Sequence, residues 1–346
     1  MDKKFFMGIA AMAALTLVSC SSDDLNSLSD NSSKNEAISF DGYLGRSAVA
    51  VNGSRGSVLE IADLQESKDG FGVFGNYNST GGQEFGSNLF NNVKVAYDAS
   101  AETKAWTYSP LKYWPTDGHV DFLAYAPRVD NKQLKGSSID FTVESDAANQ
   151  KDLLWANATS QTKANKTVTF NFKHALAKIG YKVQLNGDYT GTTIKLNKIT
   201  LAGSNDGKGT NKAFYKTGTI DLSYTSTTSS TTKLWTPSEE KQDFEWFSGD
   251  EQLSKTPAVE NPTTKYLFVI PQNFKTGTDQ LYVIVEYTIT YSDNTTVKTK
   301  VCKQLEKEFL QGKAYTINLT IGLTPIEFNA TVDGWGDIED YPITLE

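Results

Sequence analysis

The sequence predicts an all-β protein of the β-sandwich class, and three observations lead to that prediction. Short segments of alternating apolar and polar residues recur along the chain, and this period of two is typical of strands with one buried face. Clusters of Gly, Asn, Asp and Ser, such as GNYNSTGG and YSDNTT, separate these segments as turns do. Aromatic residues form 12% of the 346 residues, which favours strands that pack face to face around a core.

The overall composition excludes several classes of protein. The net charge of −8 leaves no basic surface to neutralise phosphates, so we expect no nucleic-acid partner. Cys20 and Cys302 are the only two cysteines, so disulfide bonds do not organise the fold. A hydrophobic content of 38% is typical of a globular chain whose core holds the fold by itself.

The N-terminus resembles the export signal of a bacterial lipoprotein. Residues 1–19 have a basic start and an apolar run that is shorter than a membrane-spanning helix, as in a signal peptide. The residues Leu-Val-Ser before Cys20 resemble a lipobox, so we expect signal peptidase to cut there and acyl chains to be attached to Cys20. An ordinary signal peptide that contains a cysteine by chance is the less favoured alternative. Residues 20–36 are polar and acidic without periodicity, which predicts a disordered tether.

The folded part begins with the segment AISFDGYLGR, residues 37–46. Ile38, Phe40 and Leu44 lie on one side of this segment, which predicts a strand with one buried face. Strands are predicted in the same way for TVTFNF, TIKLNKITL, KYLFVIP, LYVIVEYTITY and AYTINLTI.

Two short segments have residues typical of helices, namely HALAKI at 174–179 and KQLEKEFLQGK at 303–313. The first segment separates two strand-like segments, so we place a domain boundary near residue 175. The sequence therefore predicts an N-terminal β-sandwich domain over residues 37–175 and a C-terminal one over residues 176–346.

The sequence contains no motif of a known catalytic or metal site. His119 and His174 are the only histidines, and neither has a second ligand at the spacing that metal sites use. Cys302 lies among lysines, which favour a lowered thiol pKa, but an isolated cysteine in a strand is more often buried, and we expect burial here. We therefore predict a protein that is not an enzyme and that requires neither a metal nor another cofactor.

Several tryptophans are candidates for stacking against glycans. They are Trp114, which follows Tyr113, and Trp155, Trp246 and Trp335. A tryptophan in a strand more often anchors a sandwich core, so we expect core packing for each of them.

The most distinctive run is WTYSPLKYWPTDGHVDFLAYAP, residues 106–127. It resembles a stretch of the fimbrillin family, also called type V pilins or Mfa-like proteins. The resemblance continues in order through DLLWANAT, VTFNFKHALAKI and GKAYTINLTI and ends at DGWGD, residues 333–337. Any one of these motifs is weak evidence, whereas the ordered set, together with the lipobox, covers most of the chain.

This resemblance implies two transthyretin-like β-sandwich domains in tandem and a structural role in a cell-surface fimbrium, or pilus, that functions in adhesion. It also implies a lipoprotein precursor anchored in the outer membrane. In the family, an arginine-specific protease removes the lipidated leader with the first strand, and a strand of another pilin subunit fills the vacated groove. The expected partners are other pilin subunits, signal peptidase, the arginine-specific protease, the lipid anchor and a host or bacterial surface ligand. The alternative is a non-polymerising outer-membrane surface lipoprotein that binds glycans.

The arginines of the chain fit this maturation. Three of the 33 basic residues are arginines, and two of them, Arg46 and Arg55, follow the first strand. The processing site of the family transfers most naturally to Arg46, with Arg55 as second choice. Residues 37–46 are then the removable strand, with Ile38, Phe40 and Leu44 filling the groove before cleavage. The third arginine, Arg128, is expected to be shielded by the fold.

The C-terminal run TPIEFNATVDGWGD contains a second alternating set, with Ile326, Phe328 and Val332 on one side. It is either a donated strand or the last strand of the C-terminal domain. We favour the last strand, because few residues follow it and a stalk subunit needs a longer donor extension. On that view the protein is a tip or accessory subunit that accepts a strand.

Overall fold

A computed structural model describes residues 36–44, 61–100, 104–225, 233–262 and 265–323, and the backbone of residues 327–334. Residues 36–346 form one unit by their contacts. The lipidation site Cys20, the processing sites Arg46 and Arg55, and Ile326 and Trp335 lie outside the described residues.

The N-terminal half forms a seven-stranded sheet in the order β1-β8-β7-β5-β2-β3-β4. Pairing is antiparallel throughout this sheet except between β1 and β8, which run parallel. The elements are β1 (Ser39–Leu44), α1 (Ile61–Glu66), β2 (Phe71–Asn78), β3 (Phe90–Asp98), β4 (Ala105–Thr107), β5 (His119–Ala126), β6 (Ser138–Thr142), β7 (Leu154–Gln161) and β8 (Thr167–His174), with 3-10 turns at Ala147–Asn149 and Lys163–Asn165.

The C-terminal half contains short strands in several sheets. They are β9 (Ala177–Leu185), β10 (Thr193–Ala202), β11 (Phe214–Tyr215), β12 (Thr217–Asp221), β13 (Trp235–Pro237), β14 (Lys241–Gln242), β15 (Phe244–Gln252), β16 (Val259–Glu260), β17 (Leu267–Val269), β18 (Gln272–Asn273), β19 (Tyr282–Thr290), β20 (Thr296–Gln304), β21 (Glu308–Phe309), β22 (Lys313–Ile321) and β23 (Glu327–Gly334). The larger sheets have the orders β15-β10-β19-β20 and β16-β9-β22-β23, with β17 also paired to β9. Strands β11 and β14 form a two-stranded sheet, as do β18 and β21, and β6 joins β12 and β13 in a third small sheet.

Two clusters of buried apolar side chains hold these sheets together. We call the cluster that contains Ile38, Phe40 and Phe170 the first core and the cluster that contains most buried side chains of the C-terminal half the second core. Strand β5 contributes to both, because Phe122 faces the first core and its neighbour Leu123 faces the second. Both faces of β5 are therefore buried, which explains why its sequence is almost continuously apolar.

The all-β class predicted from the sequence is confirmed, and both predicted helices are wrong. Residues 174–179 pass from the end of β8 into β9, and residues 303–313 contain the end of β20, β21 and the start of β22. In the second segment Leu305 and Phe309 are both buried and lie four residues apart, so their helix-like spacing arises from two separate insertions into the second core. The α-helix of the described residues, α1, has only one buried side chain and gave no sequence signal.

The predicted boundary near residue 175 stays a prediction. Strand β6, which precedes residue 175, pairs with β12, which follows it, with Ser138 opposite Asp221 and Thr142 opposite Thr217. Residues 175 and 176 themselves lie in the second core, where Ala175 donates its N–H to the carbonyl oxygen of Leu153 over 2.8 Å.

Candidate functional site: the slot of strand β1

Strand β1 lies at one end of the seven-stranded sheet and pairs with β8 in parallel. Ser39 lies opposite Thr167, and the register continues to Leu44 opposite Phe172. The Ser39 hydroxyl strengthens the start of this pairing by donating to the carbonyl oxygen of Lys166 over 3.0 Å. Parallel partners require a long connection, and here the connection is the rest of the N-terminal half.

The other edge of the same segment is also paired. Ile38 donates its N–H to the carbonyl oxygen of Lys112 over 2.9 Å, and Trp114 donates its N–H to the carbonyl oxygen of Glu36 over 2.9 Å. The Tyr108 hydroxyl donates to the carbonyl oxygen of Ile38 over 2.7 Å. Residues 36–44 therefore fill a space between β8 and residues 108–114, which we call the β1 slot.

The floor of the β1 slot is the first core. Ile38 and Phe40 are buried, and Leu44 is partly buried at the edge of the same core. The Phe40 ring contacts four other aromatic rings with centroid distances of 5.3 to 5.7 Å, namely Phe90, Tyr108, Phe122 and Phe170. Such ring pairs contribute about 0.5–1.5 kcal/mol beyond the burial of their area.

Gly42 occupies the third inward position of β1, where space is limited. A methyl group built on Gly42 would lie 3.5 to 3.6 Å from carbon atoms of Phe172, Phe71 and Trp106, which is ordinary van der Waals contact. Alanine therefore fits at this position, and a branched side chain would overlap the three rings. The outward positions are tolerant by contrast, since Tyr43 is 46% exposed.

The distinctive aromatic run forms one wall of the β1 slot. Trp106 packs under Gly42, Tyr108 contacts the strand through its ring and hydroxyl, and Trp114 holds the backbone at Glu36. Burial raises the pKa of the Tyr108 phenol, so it remains a neutral hydrogen-bond donor. The sequence did not identify Tyr108 and Lys112 as contacts of β1. The high density of aromatic residues in residues 106–127 was the available signal for a contact surface there.

Three of the four tryptophans predicted to pack in the core do so, and Trp335 lies outside the described residues. Trp114, Trp155 and Trp246 are each 2–3% exposed, so their ring faces are not presented to solvent. These three tryptophans therefore do not support the glycan-binding alternative. The Tyr113 side chain is exposed, and the backbone of Tyr113 forms an isolated antiparallel bridge with Ala37.

The two histidines are bound to carboxylates. His174 and the fully buried Asp152 are joined by a 2.6 Å contact between Nδ1 and Oδ2, and His119 lies 3.3 Å from Oδ2 of the buried Asp121. Across the described part of the chain, no group of three or more His, Cys, Asp or Glu side chains is arranged to hold a metal ion.

The predicted burial of Cys302 is wrong. Its strand, β20, is an edge strand with little buried surface, and the Cys302 thiol is exposed and free. Partial desolvation raises the pKa of this thiol, an effect that the nearby Lys300 opposes, so the lysines do not activate it.

Arg128 is held by three contacts. Its backbone N–H donates to the carbonyl oxygen of Gly70 over 3.2 Å. In the side chain, Nε donates to the carbonyl oxygen of Asn92 over 3.1 Å, and the guanidinium pairs with the Asp130 carboxylate at 2.5 Å. These contacts fix the side chain that an arginine-specific protease must bind.

The C-terminal strand β23 pairs antiparallel with β22, with Glu327 opposite Thr320 and Gly334 opposite Lys313. It lies at the edge of its sheet, with β22 as its neighbour. The predicted residues Phe328 and Val332 belong to this strand, and Ile326 lies just outside the described residues.

Of the helices in the described ranges, none has the length and apolar character that crossing a membrane requires.

Comparison with known proteins gives one family. Residues 60–335 match the model of a family described as fimbrillin-like. The chain is 25% identical over 389 residues to fimbrium subunit Fim1C of Phocaeicola vulgatus, with 98% of each chain covered. It is similar in structure to a cell adhesion protein of Bacteroides uniformis (17% identity, TM-score 0.48, 87% of this chain and 98% of that one). The tip fimbrial protein Mfa3 of Porphyromonas gingivalis is a further similar structure (11% identity, TM-score 0.38, 76% and 92%).

Replacing Phe40 by alanine is expected to lower the free energy of unfolding by about 3–5 kcal/mol, because it leaves a cavity among four rings. Tyr43→Ala is the matched control on the same strand, and its exposed side chain predicts a change within about 0.5 kcal/mol. Urea denaturation of the full chain, followed by tryptophan fluorescence, measures both values. Equal losses in the two variants would contradict the inward placement of Phe40.

Proposed function

The chain belongs to the fimbrillin-like family and is a structural subunit of a surface fimbrium with a role in adhesion, and we propose that it joins its neighbours by giving up strand β1. The observation that supports this proposal is that β1 is held on both edges and along its inner face, yet is the first strand of the fold and lies next to two arginines. Other fimbrial subunits are then its partners, and we propose no catalytic role and no cofactor.

We propose that Cys20 carries the lipid that anchors the precursor in the outer membrane and that residues 20–36 form the tether. An arginine-specific protease then cuts after Arg46 or, as second choice, after Arg55. Because β1 ends at Leu44, either cut separates β1 from the rest of the fold. The subunit leaves the anchor with the first core open along the β1 slot.

The cut changes the energetics of strand β1 without changing its contacts. Burial of Ile38 and Phe40 stabilises the strand by about 1.5–3 kcal/mol each, and each backbone hydrogen bond adds about 1 kcal/mol. Before the cut, β1 is part of the same chain and returns to its slot at a high effective concentration. After the cut, a strand from another subunit competes on equal terms, and the open slot favours association because it exposes apolar surface and unpaired backbone groups.

The strand that replaces β1 needs a defined pattern. The inward positions of β1 are Ile38, Phe40, Gly42 and Leu44, and the C-terminal run has Ile326, Phe328, Ala330 and Val332 at the same spacing. Alanine is the side chain that the space at Gly42 accepts. We infer that a strand of this pattern from another fimbrial subunit occupies the β1 slot in the fimbrium. The chain's own β23 pairs with β22 in its own sheet, as expected of a last strand, so its sequence is used here as a probe of the slot.

Treating the purified full chain with an arginine-specific protease is expected to give one dominant cut, at Arg46 or Arg55, followed by oligomerisation. Mass spectrometry identifies the cut and size-exclusion chromatography measures the oligomers. Arg128 is expected to stay uncut, because its side chain is bound within the fold. The control, in which Arg46 and Arg55 are both replaced by lysine, should remain intact and monomeric. A cut product that stays monomeric under all conditions would contradict strand exchange.

A fluorescent peptide of residues 325–334 is expected to bind the cleaved subunit, as measured by fluorescence anisotropy. The same peptide with Ala330→Leu should bind at least about tenfold more weakly, because leucine overpacks the space at Gly42. The matched control is Glu327→Gln, which changes an outward position and should leave the affinity within about twofold. Equal binding of the leucine peptide would show that the peptide does not enter the β1 slot in this register.

A further inference from the structure

A second surface feature lies in the C-terminal half and shares no lining residue with the contacts of the β1 slot. It is a groove of about 440 Å³ between β9, β15 and the segment around β16. Its volume lies within the range of small-ligand sites, which is about 300–1,000 Å³. The side chains that matter for the argument are Tyr181, Phe247, Glu251, Glu260 and Lys265.

Tyr181 forms the floor of this groove. It is 2% exposed, and its ring packs edge-to-face against Trp246 with a centroid distance of 4.9 Å. Its hydroxyl makes no hydrogen bond within the described residues, and its oxygen is not sealed from solvent. Burial and the negative charge of Glu251 raise the pKa of Tyr181 to about 12, so the phenol is neutral. Tyr181 therefore contributes to the groove a neutral phenol whose hydroxyl is available to a ligand.

The rim of the groove carries two carboxylates and one ammonium group. Glu251 makes no ion pair within the described ranges, while Glu260 pairs with Lys182 at 2.8 Å. Lys265 is the positively charged side chain of the lining, so the two carboxylates leave the groove with an excess of negative charge. This excess disfavours an acidic ligand, and the pairing of Glu260 with Lys182 leaves Glu251 to accept hydrogen bonds from a neutral polar molecule.

We propose that this groove binds a neutral sugar unit of a surface glycan. A carboxylate accepts two hydrogen bonds from neighbouring hydroxyl groups, which is the role of Glu251. The Tyr181 hydroxyl donates to a further sugar oxygen and thereby gains the partner it lacks. The partly buried ring of Phe247 offers an apolar surface to the C–H face of the sugar ring.

This assignment places ligand recognition on tyrosine and phenylalanine side chains, whereas Trp114, Trp155 and Trp246 are buried. It does not depend on strand exchange, because the groove is formed by strands of the C-terminal half. Loss of one activity in a variant therefore leaves the other measurable.

Binding of the full chain to an array of immobilised glycans tests the proposal. The probes are glycans with terminal galactose, glucose, mannose or fucose, sialylated counterparts, and an alkylamine surface. We expect saturable binding to at least one neutral glycan. Tyr181→Phe and Glu251→Gln should each weaken it about five- to tenfold, because each removes hydrogen bonds to the ligand. Glu251 is exposed, so its replacement does not disturb the core.

Two controls match these variants. Asp250→Asn alters the neighbouring acid of β15, which pairs with Lys195 outside the groove, and Tyr287→Phe alters another buried tyrosine. Both should leave glycan binding within about twofold. Absence of binding to every neutral glycan, binding to the alkylamine surface alone, or equal binding by all four variants would overturn the proposal. Oligomerisation after arginine-specific cleavage should be unchanged in all four.

Discussion

The insertion of Phe40 among four aromatic rings is the interaction on which the N-terminal part of the structure depends. The rings come from β3, β5, β8 and the aromatic run, so one side chain joins elements that are far apart in the sequence. Apolar burial of this kind is the main favourable contribution to folding, and it is lost as a block when the strand leaves. The first core is therefore complete only while some strand occupies the β1 slot.

Under the proposed strand exchange, the two edges of the slot require the replacement to be a strand. Strand β8 and residues 112–114 both present backbone hydrogen-bonding groups to the slot. Glu36, Ile38 and the rest of β1 form hydrogen bonds with these groups. A buried backbone group without a partner costs about as much as a lost hydrogen bond. An occupant that buried only side chains in the slot would therefore leave these backbone groups unpaired. The requirement for alternating apolar side chains and for a small residue at Gly42 then selects among strands.

Local patterns predicted the face of β1 but not its neighbours. The alternation around Ile38 and Phe40 repeats every two residues, so the buried face follows from the sequence alone. The pairing of Ser39 with Thr167 joins residues 128 positions apart and depends on the whole sheet, which no local pattern contains. The same limit explains the helix wrongly predicted at residues 174–179, where burial in the second core overrides the helix propensity of alanine and leucine. The unpaired hydroxyl of Tyr181 likewise became visible only in three dimensions.

Locking β1 in its slot tests the account most directly. Ala37 and Tyr113 form an antiparallel bridge flanked by hydrogen bonds on both sides, a pair type with Cα atoms about 4.5 Å apart, which suits a disulfide. In a chain with Ala37→Cys, Tyr113→Cys and Cys302→Ser, we predict that arginine-specific cleavage gives no oligomers under oxidising conditions and that a reductant restores them. Chromatography of the cleaved protein with and without reductant is the measurement. Equal oligomerisation in both states would show that β1 does not have to leave and would contradict the account.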